Sequence, residues 1–137
     1  MAGSIVVHLN QVDNTDIKVV QVDWVNSPNL ALNTAYSIID KELSGWYVFM
    51  AETIPGAGGA APDANYDIAL NNSAGTDMFG GEIQNRSQTA NEVAIPKIDA
   101  SYGPFPVKKD DVLTLVITGQ TNALGTGTIY FYFSRYK

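Results

Sequence analysis

Val112-Leu113-Thr114-Leu115-Val116-Ile117-Thr118 and Thr128-Ile129-Tyr130-Phe131-Tyr132-Phe133, joined by the Gly/Asn/Thr-rich stretch from Gly119 to Gly127, decide the class of fold. Both runs are dominated by β-branched and aromatic side chains, which suit a pleated, half-buried surface. Two such runs around a glycine-containing connection read as a hairpin. Successive side chains of a strand point to opposite faces, so Ile129, Phe131 and Phe133 share one face and Tyr130 and Tyr132 the other. The Ile/Phe face is the expected core. The Tyr face is then either a second buried layer or an exposed patch. Because tyrosine is enriched at protein interfaces, Tyr130 and Tyr132 are candidate subunit-contact residues.

Working outward, the same signals recur along the chain. Ile5-Val6-Val7 opens a short run that closes at Asp13-Asn14-Thr15-Asp16. Ile17 to Val25 alternates, with Val20, Val22 and Trp24 on one face, and stops at Asn26-Ser27-Pro28-Asn29. Leu30–Ile39 suits either a strand or a short helix, and Ser37–Leu43 has the pattern of one helical turn. Trp46–Met50, Tyr66–Leu70 and Glu92–Ile95 are further strand candidates, the last stopped by Pro96. Thr76 to Thr89 is polar, contains glycines and reads as irregular. The Gly/Pro-rich segment Pro55–Pro62 is a loop, and the strongest candidate for a mobile or partner-ordered one. Short strands with a turn signal about every ten residues indicate a sandwich, barrel or jelly roll. The expectation is a single all-β domain over residues 1–137, a β-sandwich or jelly roll with one short helical turn near 37–43.

Composition narrows the function. The chain has 137 residues, no cysteine, and eight basic against fourteen acidic residues, for a net charge of −6. Without cysteine there are no disulfides, no thiolate nucleophile and no cysteine-ligated zinc. The basic residues are scattered apart from Lys108-Lys109, which Asp110-Asp111 follow at once. Nucleic acid binding needs clustered positive charge, so no nucleic acid partner is expected. The apolar runs fall far short of the ~20 residues that span a bilayer, and no membrane partner is expected. Met1-Ala2-Gly3-Ser4 lacks the features of a secretory signal.

Candidate chemistry is thin. His8 is the one histidine and lies within an apparent strand, with no nucleophile or orienting acid marked out by the sequence. Asp13–Asp16, and Asp63-Ala64-Asn65 with Asp67, carry oxygen ligands suited to calcium, but neither matches an EF-hand loop and both residue types favour turns. Gly56–Gly59 lacks the Lys-Ser/Thr ending of a phosphate-binding loop. Pairs of acids for glycoside hydrolysis carry no specificity in a chain with this many carboxylates. Asn85-Arg86-Ser87 matches a glycosylation acceptor, which has no meaning without secretion. Trp24, Trp46, Tyr47, Tyr66, Tyr130 and Tyr132 include enough aromatic surface for a sugar-stacking platform, against a default of core packing. Asp110-Asp111 reads as the end of a turn. The sequence therefore points away from an enzyme, with no cofactor and no metal expected.

From Asn65 onward the order of features resembles a known family. Asn65–Leu70 is followed by a turn with Gly75 and Asp77, then Gly80-Gly81, Asn85-Arg86-Ser87, Thr89 to Ile95, Pro104-Phe105-Pro106-Val107, Val112–Thr118 and Gly127–Phe133. The strands holding Trp24 and Trp46–Thr53 extend the likeness to most of the chain. This resembles small, cysteine-free structural proteins of tailed bacteriophages. The resemblance implies a capsid decoration (cement) protein, made in the bacterial cytoplasm and bound to the major capsid protein on the head surface of the virion. It also implies a symmetric homo-oligomer, a trimer in preference to a dimer. Arg86 is its landmark, expected to bridge carboxylates within the domain or across subunits. The alternatives are a tail, neck or fibre-attachment protein, or a carbohydrate- or receptor-binding module.

Overall fold

The computed structural model describes residues 4–11, 16–26, 35–38, 43–119 and 124–136. The strands in chain order are β1 (Ser4–Gln11), β2 (Ile17–Val25), β3 (Ala35–Ile38), β4 (Tyr47–Pro55), β5 (Asp67–Asn71), β6 (Glu92–Ala94), β7 (Lys97–Ile98), β8 (Ser101–Tyr102), β9 (Phe105–Pro106), β10 (Leu113–Thr118) and β11 (Thr126–Ser134). They build two antiparallel sheets. The larger runs β1-β2-β11-β4-β6, with β9 also paired to β4, and the smaller runs β3-β10-β5. A small β7–β8 hairpin stands apart. The protein is all-β, as its residue pattern indicates.

Alternation along each strand supplies the core. The inward residues Val20, Val22 and Trp24 of β2, Val48 and Ala51 of β4 and Ile129, Phe131 and Phe133 of β11 meet Ile68 and Leu70 of β5 and Leu113, Leu115 and Ile117 of β10 in one cluster. Two sheets that share such a layer form a β-sandwich. Trp24 lies across Gly127, where a Cβ would come within 2.7 Å of the indole nitrogen, so only glycine leaves room for the ring.

β1 and β2 form a hairpin within the larger sheet, and from β2 onward, apart from β7, β8 and β9, the chain crosses between sheets at every step. β2, β4, β6 and β11 belong to the larger sheet, whereas β3, β5 and β10 belong to the smaller. This is jelly-roll winding. It corrects the hairpin expected for the two decisive runs. Leu113–Thr118 pairs with β3 and β5, and Thr126–Ser134 pairs with β2 and β4, so the two face each other across the core. Each run carries an apolar stripe that needs a layer opposite it, and the sequence between Thr118 and Thr126 is long enough to span the roughly 10 Å between packed sheets. The helical turn expected near Ser37–Leu43 is likewise corrected at its start, where Ser37 and Ile38 lie in β3. Residues 39–42 of that turn lie outside the described residues.

The irregular stretch 76–86 lines the outer edge of β5. Met78 N–H donates to Leu70 O at 2.8 Å and Ile68 N–H donates to Ile83 O at 2.9 Å. Asp77 anchors the stretch: its carboxylate accepts from the N–H groups of Leu70, Phe79 and Gly81. Met78, Phe79 and Ile83 are thereby delivered to the core without a regular strand.

Candidate protein-binding face

The outward face of the larger sheet is the feature that core packing leaves unexplained. Along β11, Phe131 is fully buried, while Tyr130 and Tyr132 are half-buried on the opposite side. The Tyr face is thus a partly exposed patch and not a second buried layer. Strand register places its neighbours. One row across the sheet runs Val93, Glu52, Tyr130, Gln21. The row beside it runs Met50, Tyr132, Val19, and the one on the other side runs Ile54, Thr128, Asp23, Val6. A bulge in β4 inserts Phe49 at the Tyr132 end.

The aromatic rings form a connected cluster. Tyr130 and Tyr132 have centroids 6.5 Å apart and tilted by 37°, and Phe49 lies 6.1 Å from Tyr132. These are separations at which tilted rings attract. Burial, followed by the Glu52 carboxylate and the neighbouring Tyr130, raises the pKa of the Tyr132 phenol. Next to the cluster, Thr128 donates its hydroxyl hydrogen to Asp23 at 2.8 Å, and Gln21 Nε2 donates to the same carboxylate. Exposed valines fringe it: Val6 is 54%, Val25 46% and Val93 60% exposed. The outward positions of β2, β4, β6 and β11 therefore hold aromatic and aliphatic groups, two carboxylates and, among the described residues, no Lys or Arg. At the Thr126 end the face runs into a shallow depression lined by Val25, Ile54, Pro55, Gly56 and Gly127.

Arg86 lies elsewhere and is already engaged. Its guanidinium donates to the carbonyls of Glu82 and Gln84 at 3.1–3.2 Å, and its Nε is 3.9 Å from Glu92. Glu92 in turn accepts from Ser87 N–H at 2.6 Å. Within the domain the guanidinium caps turn carbonyls and has one carboxylate, Glu92, beside it. The cause is local: Asn85 has φ 54°, which folds the turn back so that its carbonyls face the guanidinium. Arg86 holds the loop beside β6 and does not reach the Tyr face.

The other sequence candidates resolve as structure. Asp67, at the start of β5, accepts from the distant Asn85 N–H, and Asp111 ends a turn through its own N–H to Lys108 O while its carboxylate accepts from the distant Ser73 N–H. Asp13, Asn14 and Thr15 lie outside the described residues, and His8 falls in β1 opposite Gln21. Trp24 and Tyr66 pack together in the core with centroids 5.6 Å apart, and Trp46 is buried under Lys18 and Arg135. The Pro55–Pro62 loop is pinned to β11: Gly56 N–H donates to Thr126 O, and the Thr126 hydroxyl donates to Ala60 O.

Sequence reading found Tyr130 and Tyr132 but missed Phe49, Glu52 and Val93. Alternation along β4 and β6 marks their faces, yet only the strand order shows that those faces adjoin β11. No protein-family model matches this chain, and no curated protein matches it either.

Proposed function

We propose that this protein is a non-enzymatic structural component of a phage virion, a decoration protein that binds the major capsid protein on the head surface through the Tyr130–Tyr132 face. The observation that carries the reading is the face itself. The outward side of an antiparallel sheet is ordinarily polar. Here it presents a tyrosine pair, Phe49, Met50, Ile54 and exposed valines, the composition of an interface core. The sequence resemblance supplies the setting. A repeating shell suits such a patch, because many weak contacts to a lattice add up through avidity.

The test is co-sedimentation of the purified protein with heads lacking it, alongside gold-labelled antibody imaging of the parent particle. Even label over the head, with binding lost in the Tyr130→Ala/Tyr132→Ala double variant, is the expected result. Undiminished binding by the double variant overturns the face, and label confined to the tail or neck moves the protein to joining or fibre attachment. A second reading is favoured by one observation: Gln21, Asp23 and Glu52 flank the tyrosine row as polar groups flank stacked sugars. A glycan array that retains wild type but not the double variant would establish a carbohydrate-binding module instead.

A further inference from the structure

We infer that the free edge of β1 is a self-association site that takes a second copy of this chain by antiparallel β1–β1 pairing. An unpaired sheet edge offers a row of N–H and C=O groups to any extended strand, and proteins ordinarily blunt it. Three of the four sheet edges here are blunted. The edge of β5 is occupied by 76–86, which takes up the backbone groups of Ile68 and Leu70. The far edge of the larger sheet is broken into β6 and β9, three and two residues long, with Pro96, Pro104 and Pro106 beside or within them. The third, β3, is only four residues long.

Among the described residues the β1 edge has none of these devices. It is eight residues long, Ser-Ile-Val-Val-His-Leu-Asn-Gln, without proline, glycine, lysine or any carboxylate. Its pairing with β2 runs unbroken from Ser4↔Val25 to Gln11↔Lys18, with no bulge to twist the edge away. Among the described residues no strand pairs with its outer side.

Two features select a second copy as the occupant. An edge meeting its own image is self-complementary under a two-fold axis. The chain carries a net charge of −6, and β1 contributes no formal charge with His8 neutral. Joining there therefore adds no carboxylate of β1 to the contact. The association closes at two, since the other edges are protected. The two-fold that relates antiparallel neighbours stands normal to the sheet. Both Tyr130–Tyr132 faces thus lie on the same side of one continuous sheet, available together to a flat or repeating partner.

The experiment needs only the purified protein, so it stands or falls apart from the virion proposal. Sedimentation velocity over a concentration series is expected to show a discrete monomer–dimer equilibrium. Val6→Lys, at a position exposed in the single copy, is expected to weaken the dimer about tenfold or more while leaving the near-ultraviolet circular dichroism of the core unchanged. Amide hydrogen exchange supplies a second signature. In the dimer successive β1 amides are all protected, whereas in the variant every second one, pointing away from β2, exchanges freely. A wild type that stays monomeric overturns the inference. So does a trimer, or a dimer that Val6→Lys leaves intact with alternate β1 amides open.

Discussion

The two faces of β11 are both aromatic, and they differ by little more than a hydroxyl group. Phe131 and Phe133 are sealed against β5, β10 and the 76–86 stretch, with Phe79 and Phe131 centroids 5.9 Å apart. Tyr130 and Tyr132 keep similar rings half in water. The difference teaches how the chain encodes orientation. A phenol excluded from water without a partner costs free energy, so Phe and Tyr in strict alternation specify which side of the strand enters the core. Tyr66 shows the exception. It is fully buried, and its hydroxyl hydrogen-bonds with Thr53, itself buried on β4.

The sharpest way to break this comparison is truncation of the inner face. Phe131→Ala is expected to cost about 3–5 kcal/mol in urea or guanidinium unfolding, the range for emptying a packed aromatic site. A loss under about 1 kcal/mol would mean that the two faces are not energetically distinct.

The buried tyrosine sharpens the comparison next. Burial, opposed by the Thr53 bond and then by Arg86, pushes the Tyr66 pKa from 10.0 up to about 12. The folded state thus holds the phenolic proton more tightly than the unfolded state. Its contribution is present in full below pH 10 and is lost as pH rises through about 12. The loss amounts to about 2–3 kcal/mol by the upper end of that window. Chemical denaturation between pH 9 and 12 measures it against Tyr66→Phe, which is expected to remove this part of the alkaline slope. An identical slope in both proteins would show that the phenol ionises freely.

The smallest expected effect lies on the outer face. Tyr130→Ala and Tyr132→Ala should each change stability by no more than about 1 kcal/mol, as surface-exposed truncations do. Thermal unfolding checks this directly. A cost matching that of Phe131→Ala would make the tyrosine row a second core and remove the reason to treat it as a docking surface.

Much of this organisation is legible in the residues. The alternation of Ile129, Phe131 and Phe133 with Tyr130 and Tyr132 marks both the core face and the candidate interface, and Val20, Val22 and Trp24 mark one face of β2, which is buried. The turn at Asp111 is legible and closes through its backbone N–H to Lys108 O, but the carboxylates of Asp67 and Asp111 accept N–H groups of distant loops, partners that no local pattern shows. Arg86 was legible as a landmark but not in its partners. Those partners depend on the left-handed backbone at Asn85, which brings the carbonyls of Glu82 and Gln84 to the guanidinium. In the residues alone β1 shows only as the short run Ile5–Val7, because an edge is a property of the sheet and not of the strand.

By itself, then, the sequence determined that the protein is made of strands and which residues of β2 and β11 share a face. Those properties are local, set by a two-residue repeat and by side-chain polarity. The tertiary structure alone decided that β10 and β11 oppose one another across the core instead of pairing, that Phe49, Glu52 and Val93 join the tyrosine row, and that β1 ends a sheet. These outcomes rest on hydrogen bonds and packing between residues far apart in the chain. A backbone N–H donates equally well to any strand, so the apolar stripe that must be covered on both sides selects the partner.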